Sequence, residues 1–278
     1  MVEPFGLRLR ERIDAFGPLC VGIDPSRIAI EAWDRTDTVE GLEFFTLAML
    51  EASIEVAAAI KPQVAYFERF GSAGYRILER LLSEARDSNL LVIADAKRGD
   101  IGATNEGYAE AWLRDRSPLC ADAVTVSPYV GLGALESLFV AAQDTGRGVF
   151  VLAATSNSEG RLLQTARTDE GERVEDFVLR SVAERNNRDD GLGTVGVVLG
   201  ATRERPAFDL ALLGGPFLVP GVGAQGATPS DVGRLFVRSA RATVLVNIGR
   251  GISGAGPERS ALRDAAQRWR DDLSNCLS

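Results

Sequence analysis

Short apolar segments alternate with longer amphipathic segments along nearly the whole chain. Eight of the short segments are almost continuously apolar, which is typical of strands buried on both faces of a parallel sheet. They occupy residues 18–24, 56–61, 90–95, 122–127, 148–154, 194–200, 216–221 and 243–249. Between them, apolar residues recur at the spacing of amphipathic helices. Two such helix faces are formed by Tyr75, Leu78, Leu82 and Ala85, and by Leu262, Ala266, Trp269 and Leu273.

Eight strand–helix units in a chain of 278 residues predict an α/β fold, a single (β/α)8 TIM barrel. A doubly wound open sheet is the alternative, but it would not usually need eight strands. No Pro/Ser-rich run, low-complexity tract or block of like charge marks a linker. We therefore expect residues 1–278 to form one domain, with 45% hydrophobic residues supplying its core.

Composition narrows the classes of function. The net charge of −8 disfavours nonspecific binding of nucleic acid. No segment approaches the length of a membrane span, and the N-terminal segment lacks the apolar region of a signal peptide. Cys20, Cys120 and Cys276 have neither disulfide nor metal-ligand spacing, which predicts a reducing, cytoplasmic location. Histidine is absent, so catalytic triads and metal sites that need histidine are excluded.

Lysine usage is a second compositional signal. The 31 basic residues include two lysines, Lys61 and Lys97, and each of the two closes an apolar segment. Arginine does not release its proton at working pH, whereas lysine can. A chain that uses arginine almost everywhere else is expected to keep lysine where arginine cannot serve. Compositional bias plus chance is the alternative, but it does not readily explain why both lysines occupy such positions.

Charged residues cluster where the third predicted strand ends. In a barrel, the C-terminal ends of the strands carry the active site. Asp95 and Lys97 are two residues apart, so in an extended strand both would face the barrel interior. Asp100 follows on a glycine-flanked loop, and spacing does not give its direction. With Lys61 these residues would form an array in which carboxylates hold two buried lysines cationic. An ion-pair network that only closes the barrel is the alternative, although buried pairs stabilise weakly.

Two glycine-rich loops follow the seventh and eighth predicted strands, at residues 219–226 and 247–254. Loops at these two places form the usual phosphate site of a barrel. Glycines such as Gly249 let backbone N–H groups approach an anion, and Arg250 can make a bidentate contact. The pattern predicts a phosphate ligand, with ordinary turn glycines as the alternative.

Several hydroxyl and carboxylate residues at strand ends are ambiguous. Asp24 could bind sugar hydroxyls or cap the following turn. Ser156 could hydrogen-bond a base edge, but a turn is the safer interpretation. Ser127, Tyr129 and Thr202 are interpreted as turn or packing residues.

The segment "DAKRGDIGAT" (95–104) resembles the signature of the orotidine 5′-phosphate decarboxylase family. The chain is similar over nearly its full length to the longer bacterial subfamily, through "LCVGIDPS", "IKPQVAYFE", "SPYVG", "LAATSNSEG", "VPGVGAQG" and "GRGI". The D-x-K-x-x-D core alone is less specific, because a sugar-phosphate decarboxylase relative shares it. Ser158 departs from the family pattern, which has proline there, and we expect this change to loosen the loop near the base.

The resemblance implies a role for each candidate residue. Asp95 and Lys97 match the central catalytic pair. Lys61 and Asp24 match residues on the ribose side, and Lys61 completes the charged array.

The resemblance further implies an active site shared between two chains. Asp100, Ile101 and Thr104 match residues that family members contribute to the partner subunit's site across a homodimer interface. The matches for the remaining ligand contacts are Ser156 for the pyrimidine, and Gln225 and Arg250 for the phosphate.

The implied reaction converts orotidine 5′-phosphate to uridine 5′-phosphate and CO₂, the last step of de novo synthesis of that nucleotide. Loss of CO₂ from C6 leaves a carbanion that no adjacent carbonyl delocalises directly. An ammonium group beside C6 can stabilise the carbanion and then protonate it, and Lys97 is the candidate. No metal or organic cofactor is needed. Two alternatives stay open: a metal-dependent decarboxylase of an acyclic sugar phosphate, and a non-catalytic barrel that binds nucleotides or phosphate.

Overall fold

The computed structural model describes residues 3–187, 192–236, 241 and 243–277. Eight parallel strands form a closed barrel in which each strand pairs with the next one in sequence and the last pairs with the first. The strands are β1 (Leu19–Ile23), β2 (Ala59–Pro62), β3 (Leu91–Arg98), β4 (Ala123–Val126), β5 (Gly148–Ala154), β6 (Val195–Leu199), β7 (Phe217–Val219) and β8 (Val244–Ile248). The predicted (β/α)8 barrel is confirmed, and the alternative of an open sheet is wrong.

Helices alternate with the strands and surround the barrel. Within the described residues they are α1 (Phe5–Phe16), α2 (Arg27–Glu31), α3 (Val39–Ser53), α4 (Ala65–Glu68), α5 (Gly71–Asp87), α6 (Ala103–Leu113), α7 (Glu136–Thr145), α8 (Arg161–Gln164), α9 (Val174–Asn186), α10 (Pro229–Leu235), α11 (Arg250–Ser253) and α12 (Arg259–Leu277). The two predicted apolar faces belong to α5 and α12, and both pack against the core. None of these helices is long and apolar enough to cross a membrane.

Helix α1 closes the end of the barrel at which the strands begin. Phe5 meets Phe150 edge-on, with 5.9 Å between the ring centroids. The Phe5 ring also occupies the space beside Gly148, where a Cβ atom would lie 2.4 Å from it. Arg8 fixes the helix by donating to Asp122 Oδ1 at 2.7 Å. This end is filled by apolar side chains, so the charged residues of the strands lie at the opposite end, called the mouth below.

Two strand boundaries differ from the predicted ones by three residues, more than any other. β2 begins at Ala59 rather than at residue 56, because the Ala57 N–H still donates to Ser53 O at the end of α3. β3 continues past residue 95 to Arg98, and its pairing with β4 shifts register between Ala94 and Arg98. Lys97 therefore lies inside β3, not on the loop after it.

Candidate active site

Asp95 is the centre of a hydrogen-bonded ion array at the mouth. Its Oδ2 accepts a hydrogen bond from Lys61 Nζ at 2.7 Å, and its Oδ1 accepts one from Lys97 Nζ at 2.6 Å. Thr125 Oγ1 donates to the same Oδ1 at 2.9 Å. Lys97 Nζ also lies 3.3 Å from Gln63 Oε1, which accepts a second hydrogen bond. One carboxylate is thus held between two ammonium groups by residues of β2, β3 and β4.

Strand register brings these residues together. Lys61 lies opposite Gly22 of β1, and Gln63 forms a parallel bridge with Asp95. Gly22 leaves open the space above β1, where a Cβ atom would lie 3.1 Å from Asp24 Oδ2 and from Asn247 Oδ1. The array therefore depends on pairings between strands that are distant in sequence.

The backbone at Lys97 departs from regular strand geometry, in which side chains alternate between the two faces. Its φ is +48°, a left-handed conformation that residues other than glycine rarely adopt. This conformation coincides with the register shift between β3 and β4, and such irregularities re-aim side chains. The Lys97 side chain is 43% exposed, compared with 6% for Lys61. The expectation that both lysines are buried is therefore wrong for Lys97, because the shift turns it towards the opening.

Burial and ion pairing act in opposite directions on the array. Burial alone would lower the pKa of Lys61, but Asp95 and then Asp24 outweigh it and raise that pKa above its ordinary value. Burial alone would raise the pKa of Asp95, but Lys61 and then Lys97 hold it well below its usual range. For Asp24, burial prevails and the pKa is raised. Lys61 and Asp95 are consequently both charged around neutral pH.

Asp24 lies beside the array at the end of β1. Ser26, not Asp24, caps helix α2, since Ser26 Oγ accepts a hydrogen bond from Ala29 N at 3.2 Å. Asp24 Oδ2 lies 2.5 Å from the position that a Cβ atom of Gly249 would take. Only glycine fits at position 249 without displacing this carboxylate, which places Asp24 next to the loop after β8.

Asp100 does not join the array of its own chain in the described residues. Its Oδ1 accepts a hydrogen bond from Ile101 N at 2.8 Å, and its own N–H donates to Asn105 Oδ1 at 3.0 Å. Ile101 is 64% exposed, and Thr104 in the first turn of α6 is exposed as well. A single chain thus brings together three of the four members of the predicted array and leaves Asp100 apart.

Three loops meet around Ser156 on the other side of the mouth. Thr202 Oγ1 donates to Ser156 O at 3.1 Å, which links the loops after β5 and β6. A Cβ atom on Gly221, whose φ is +105°, would lie 3.1 Å from Gln225 Oε1 and 3.2 Å from Ser156 Cβ. Gly200 approaches as closely, because its Cβ atom would lie 2.6 Å from Ser156 Cα. Glycine at these positions lets Ser156 and Gln225 lie close together.

Arg250 and Gln225 project from the glycine-rich loops after β8 and β7. Both residues are exposed, and neither side chain has a hydrogen-bond or ion-pair partner within the described part of the chain. Arg250 begins α11, and α12 supports this loop through Trp269, whose Nε1 donates to Gly251 O at 3.2 Å. The donors of both side chains are therefore available to a ligand.

Three further polar residues of the mouth are not found by the sequence analysis. Thr125 and Gln63 contact the array directly. Asn247 of β8 is aligned with Cys20 of β1, and its Oδ1 is buried with no hydrogen-bond partner among the residues that the structure describes. The available signal was a polar residue inside an apolar strand, as in "VTV" and "VNI".

The structure is a (β/α)8 barrel with a Lys–Asp–Lys ion array at its mouth, and comparison with known proteins assigns the family. The family model described as "Orotidine 5'-phosphate decarboxylase / HUMPS family" matches residues 17–265. The chain belongs to this family.

Individual relatives match over the full length of the chain. Proteins named orotidine 5′-phosphate decarboxylase from Streptomyces coelicolor and Salinispora tropica are 45% and 47% identical over 278 and 277 residues, and each alignment covers 100% of this chain and 99% of the relative. A Streptomyces avermitilis crystal structure, provisionally given the same name, is 46% identical with a TM-score of 0.95. That alignment covers 100% of this chain and 97% of the other. The resemblance inferred from the sequence motifs is confirmed.

Proposed function

We propose that this chain is a cytoplasmic, cofactor-independent carbon–carbon lyase that converts orotidine 5′-phosphate to uridine 5′-phosphate and CO₂. We also propose that residues 1–278 form one domain and that two chains form a homodimer. The array of Lys61, Asp95 and Lys97 carries this proposal. It holds an ammonium group at the mouth of the barrel, next to the glycine-rich loops after β7 and β8 that are predicted to bind phosphate. The names of the full-length relatives support the same activity.

Lys97 is the proposed proton donor. When the bond from C6 to the carboxylate breaks, the electron pair stays on C6 and CO₂ leaves. The Lys97 ammonium stabilises this pair and transfers a proton to C6. Its partial exposure lets the resulting amine take up a proton from solvent between turnovers.

Asp95 and Lys61 are proposed to position that ammonium group. Asp95 binds Lys97 Nζ at 2.6 Å and so fixes its direction, while Lys61 keeps Asp95 ionised from the other side. Arginine in place of Lys97 would keep the charge but would be a poor proton donor.

The rim residues are proposed to bind the rest of the substrate. Asp24 accepts hydrogen bonds from ribose hydroxyls, and Ser156 bonds the pyrimidine. Gln225, the backbone of Gly249 and the Arg250 guanidinium hold the phosphate. Gln225 and Arg250 are exposed at the mouth and have no side-chain partners among the described residues, which supports their assignment to the phosphate.

The partner chain is proposed to complete the charged array. Asp100 lies outside the array of its own chain, beside exposed Ile101 and Thr104. Tyr129 and Val130, on the loop after β4, are 78% and 44% exposed, which adds apolar surface on the same side of the mouth. A second copy would cover this surface and bring Asp100 to the neighbouring site.

An assay with orotidine 5′-phosphate in the presence of EDTA tests the activity. We expect turnover, followed as a change in pyrimidine absorbance, at the same rate with and without the chelator. Turnover lost on chelation would favour a metal-dependent chemistry, as in the sugar-phosphate alternative. Binding of the nucleotide without turnover would favour the non-catalytic barrel.

A further inference from the structure

A second concave site lies outside the array, behind the loop that carries Ser156. The cavity has a volume of about 480 Å³, and none of Lys61, Asp95 and Lys97 lines it. Its charged lining consists of Arg161, Arg167, Arg173 and Arg203 together with Glu175 and Glu204. Four arginines against two glutamates form a local excess of positive charge in a chain whose net charge is −8.

Arg203 has a donor in this region that no described residue satisfies. Its side chain is 9% exposed, and its Nη2 lies 2.5 Å from Glu175 Oε2. Its Nε is buried and has no hydrogen-bond partner. Arg173 Nη1 lies 3.4 Å from the other oxygen of Glu175, so one carboxylate serves two guanidinium groups. Glu175 thus holds the guanidinium groups of Arg173 and Arg203 close together, and both residues line the cavity, where an anionic oxygen would meet two positive charges.

We propose that this cavity binds a polyphosphate anion, either free or as part of a nucleotide. The volume falls within the range of about 300–1,000 Å³ that is usual for ligand sites. Guanidinium groups bind phosphate oxygens in a bidentate manner, and several arginines at one cavity match more than one phosphate group.

An anion bound in the cavity would affect the mouth through two residues. Ser156 and Thr202 line the cavity and are hydrogen-bonded to each other at 3.1 Å. A bound anion would therefore change how Ser156 meets the pyrimidine. This coupling rests on the proposed function, whereas anion binding itself does not.

Calorimetric titration with inorganic pyrophosphate at constant ionic strength tests the site. Because Arg250 is proposed to bind phosphate as well, the titration uses Arg250→Ala next to the wild type. We expect Arg250→Ala to keep one binding event per chain. In that background Arg173→Gln should raise Kd about tenfold or more, since it removes a charged hydrogen bond. Arg167→Gln serves the same purpose on an exposed side chain if Arg173→Gln folds poorly.

Two further variants separate a specific site from general charge. Glu204→Gln should lower Kd about threefold, because Glu204 lies 3.5 Å from Arg161 and both side chains are exposed. Arg259→Gln removes an exposed arginine that pairs with Glu51 and does not line the cavity, and it should leave Kd unchanged.

Several results would overturn the proposal. One is loss of all pyrophosphate binding in Arg250→Ala, which would leave the proposed phosphate contact at the mouth intact. Another is an equal effect of Arg173→Gln and Arg259→Gln. If two binding events survive in Arg250→Ala, the cavity is supported and the proposed role of Arg250 fails. Parallel titrations with inorganic triphosphate and with uridine and adenosine triphosphates identify the source. Tighter binding of a nucleotide than of inorganic triphosphate indicates a nucleotide, and equal or weaker binding indicates the polyphosphate alone.

Discussion

The centre and the rim of the mouth are built in opposite ways. At the centre, Asp95 receives three hydrogen bonds from Lys61, Lys97 and Thr125, all carried by paired strands. At the rim, Gln225 and Arg250 lie exposed on glycine-rich loops, and neither side chain has a partner in the described chain. The centre is thus preorganised before any ligand arrives, whereas the rim is left to be completed by one.

This difference assigns different kinetic consequences to the two regions. Preorganised charge acts most strongly on the transition state, so changes at the centre should lower kcat. Substitutions in loops that gain their contacts only from substrate should lower mainly kcat/KM. They can also raise the activation barrier if they impair loop closure. The substitutions below test that division.

The largest effect is expected for Lys97→Arg, which keeps the positive charge but not a transferable proton. We expect kcat to fall by about 10³-fold or more, because a general acid typically contributes about 10²- to 10⁴-fold to the rate. The melting temperature should change little, because the Lys97 side chain is 43% exposed. Steady-state kinetics and thermal unfolding measure both. A variant with near-normal kcat would refute the role of Lys97 as proton donor.

Asp100→Ala is expected to lower kcat by about 10²-fold, because it removes the carboxylate that the partner chain is proposed to add to the centre. A complementation experiment sharpens this prediction. Lys97→Ala and Asp100→Ala chains, each nearly inactive, are mixed and allowed to exchange subunits. Half of the dimers should then carry one intact site of two, which restores about a quarter of wild-type activity. Native mass spectrometry confirms the heterodimer, and a mixture that stays inactive would show that Asp100 serves its own chain.

Arg250→Ala tests the rim. We expect kcat/KM for the nucleotide to fall about 10- to 100-fold, since a charged contact to phosphate is lost. The dephosphorylated nucleoside lacks that contact, so its turnover should be nearly unchanged. Arg259→Gln is the control for loss of one positive charge, because Arg259 pairs with Glu51 and not with a residue of the mouth loops. Equal losses on nucleotide and nucleoside would contradict a phosphate-specific contact.

The sequence predicts much of the centre, for reasons that are local. Strands buried on both faces leave continuous apolar segments, so the positions of β1 to β8 follow from hydrophobicity to within a few residues. Lys61 and Lys97 are conspicuous because the chain otherwise uses arginine. The polar residues at the ends of those segments then mark the mouth.

The contacts that the sequence does not predict depend on pairing between distant elements. The positive φ of Lys97 accompanies a register shift against β4, which no pattern within β3 encodes. Thr125 joins the array only because β4 lies beside β3. Asp100 stays apart from the array of its own chain among the described residues, and spacing along the sequence does not give its direction. Register and loop direction are tertiary properties, so periodicity alone does not determine them.

The contact between Thr202 and Ser156 gives the smallest and most specific test of the rim. It joins two loops that are 46 residues apart, and the Thr202 hydroxyl holds the Ser156 carbonyl at 3.1 Å. Thr202→Val keeps the shape and removes the donor. Because one neutral hydrogen bond on an exposed residue is worth little, we expect KM for the nucleotide to rise only about threefold with kcat unchanged. Thr202→Ser restores the hydroxyl and should restore KM. A fall in kcat at constant KM would instead show that this contact acts on the transition state. The loop after β5 would then belong to the preorganised centre and not to the rim that a ligand completes.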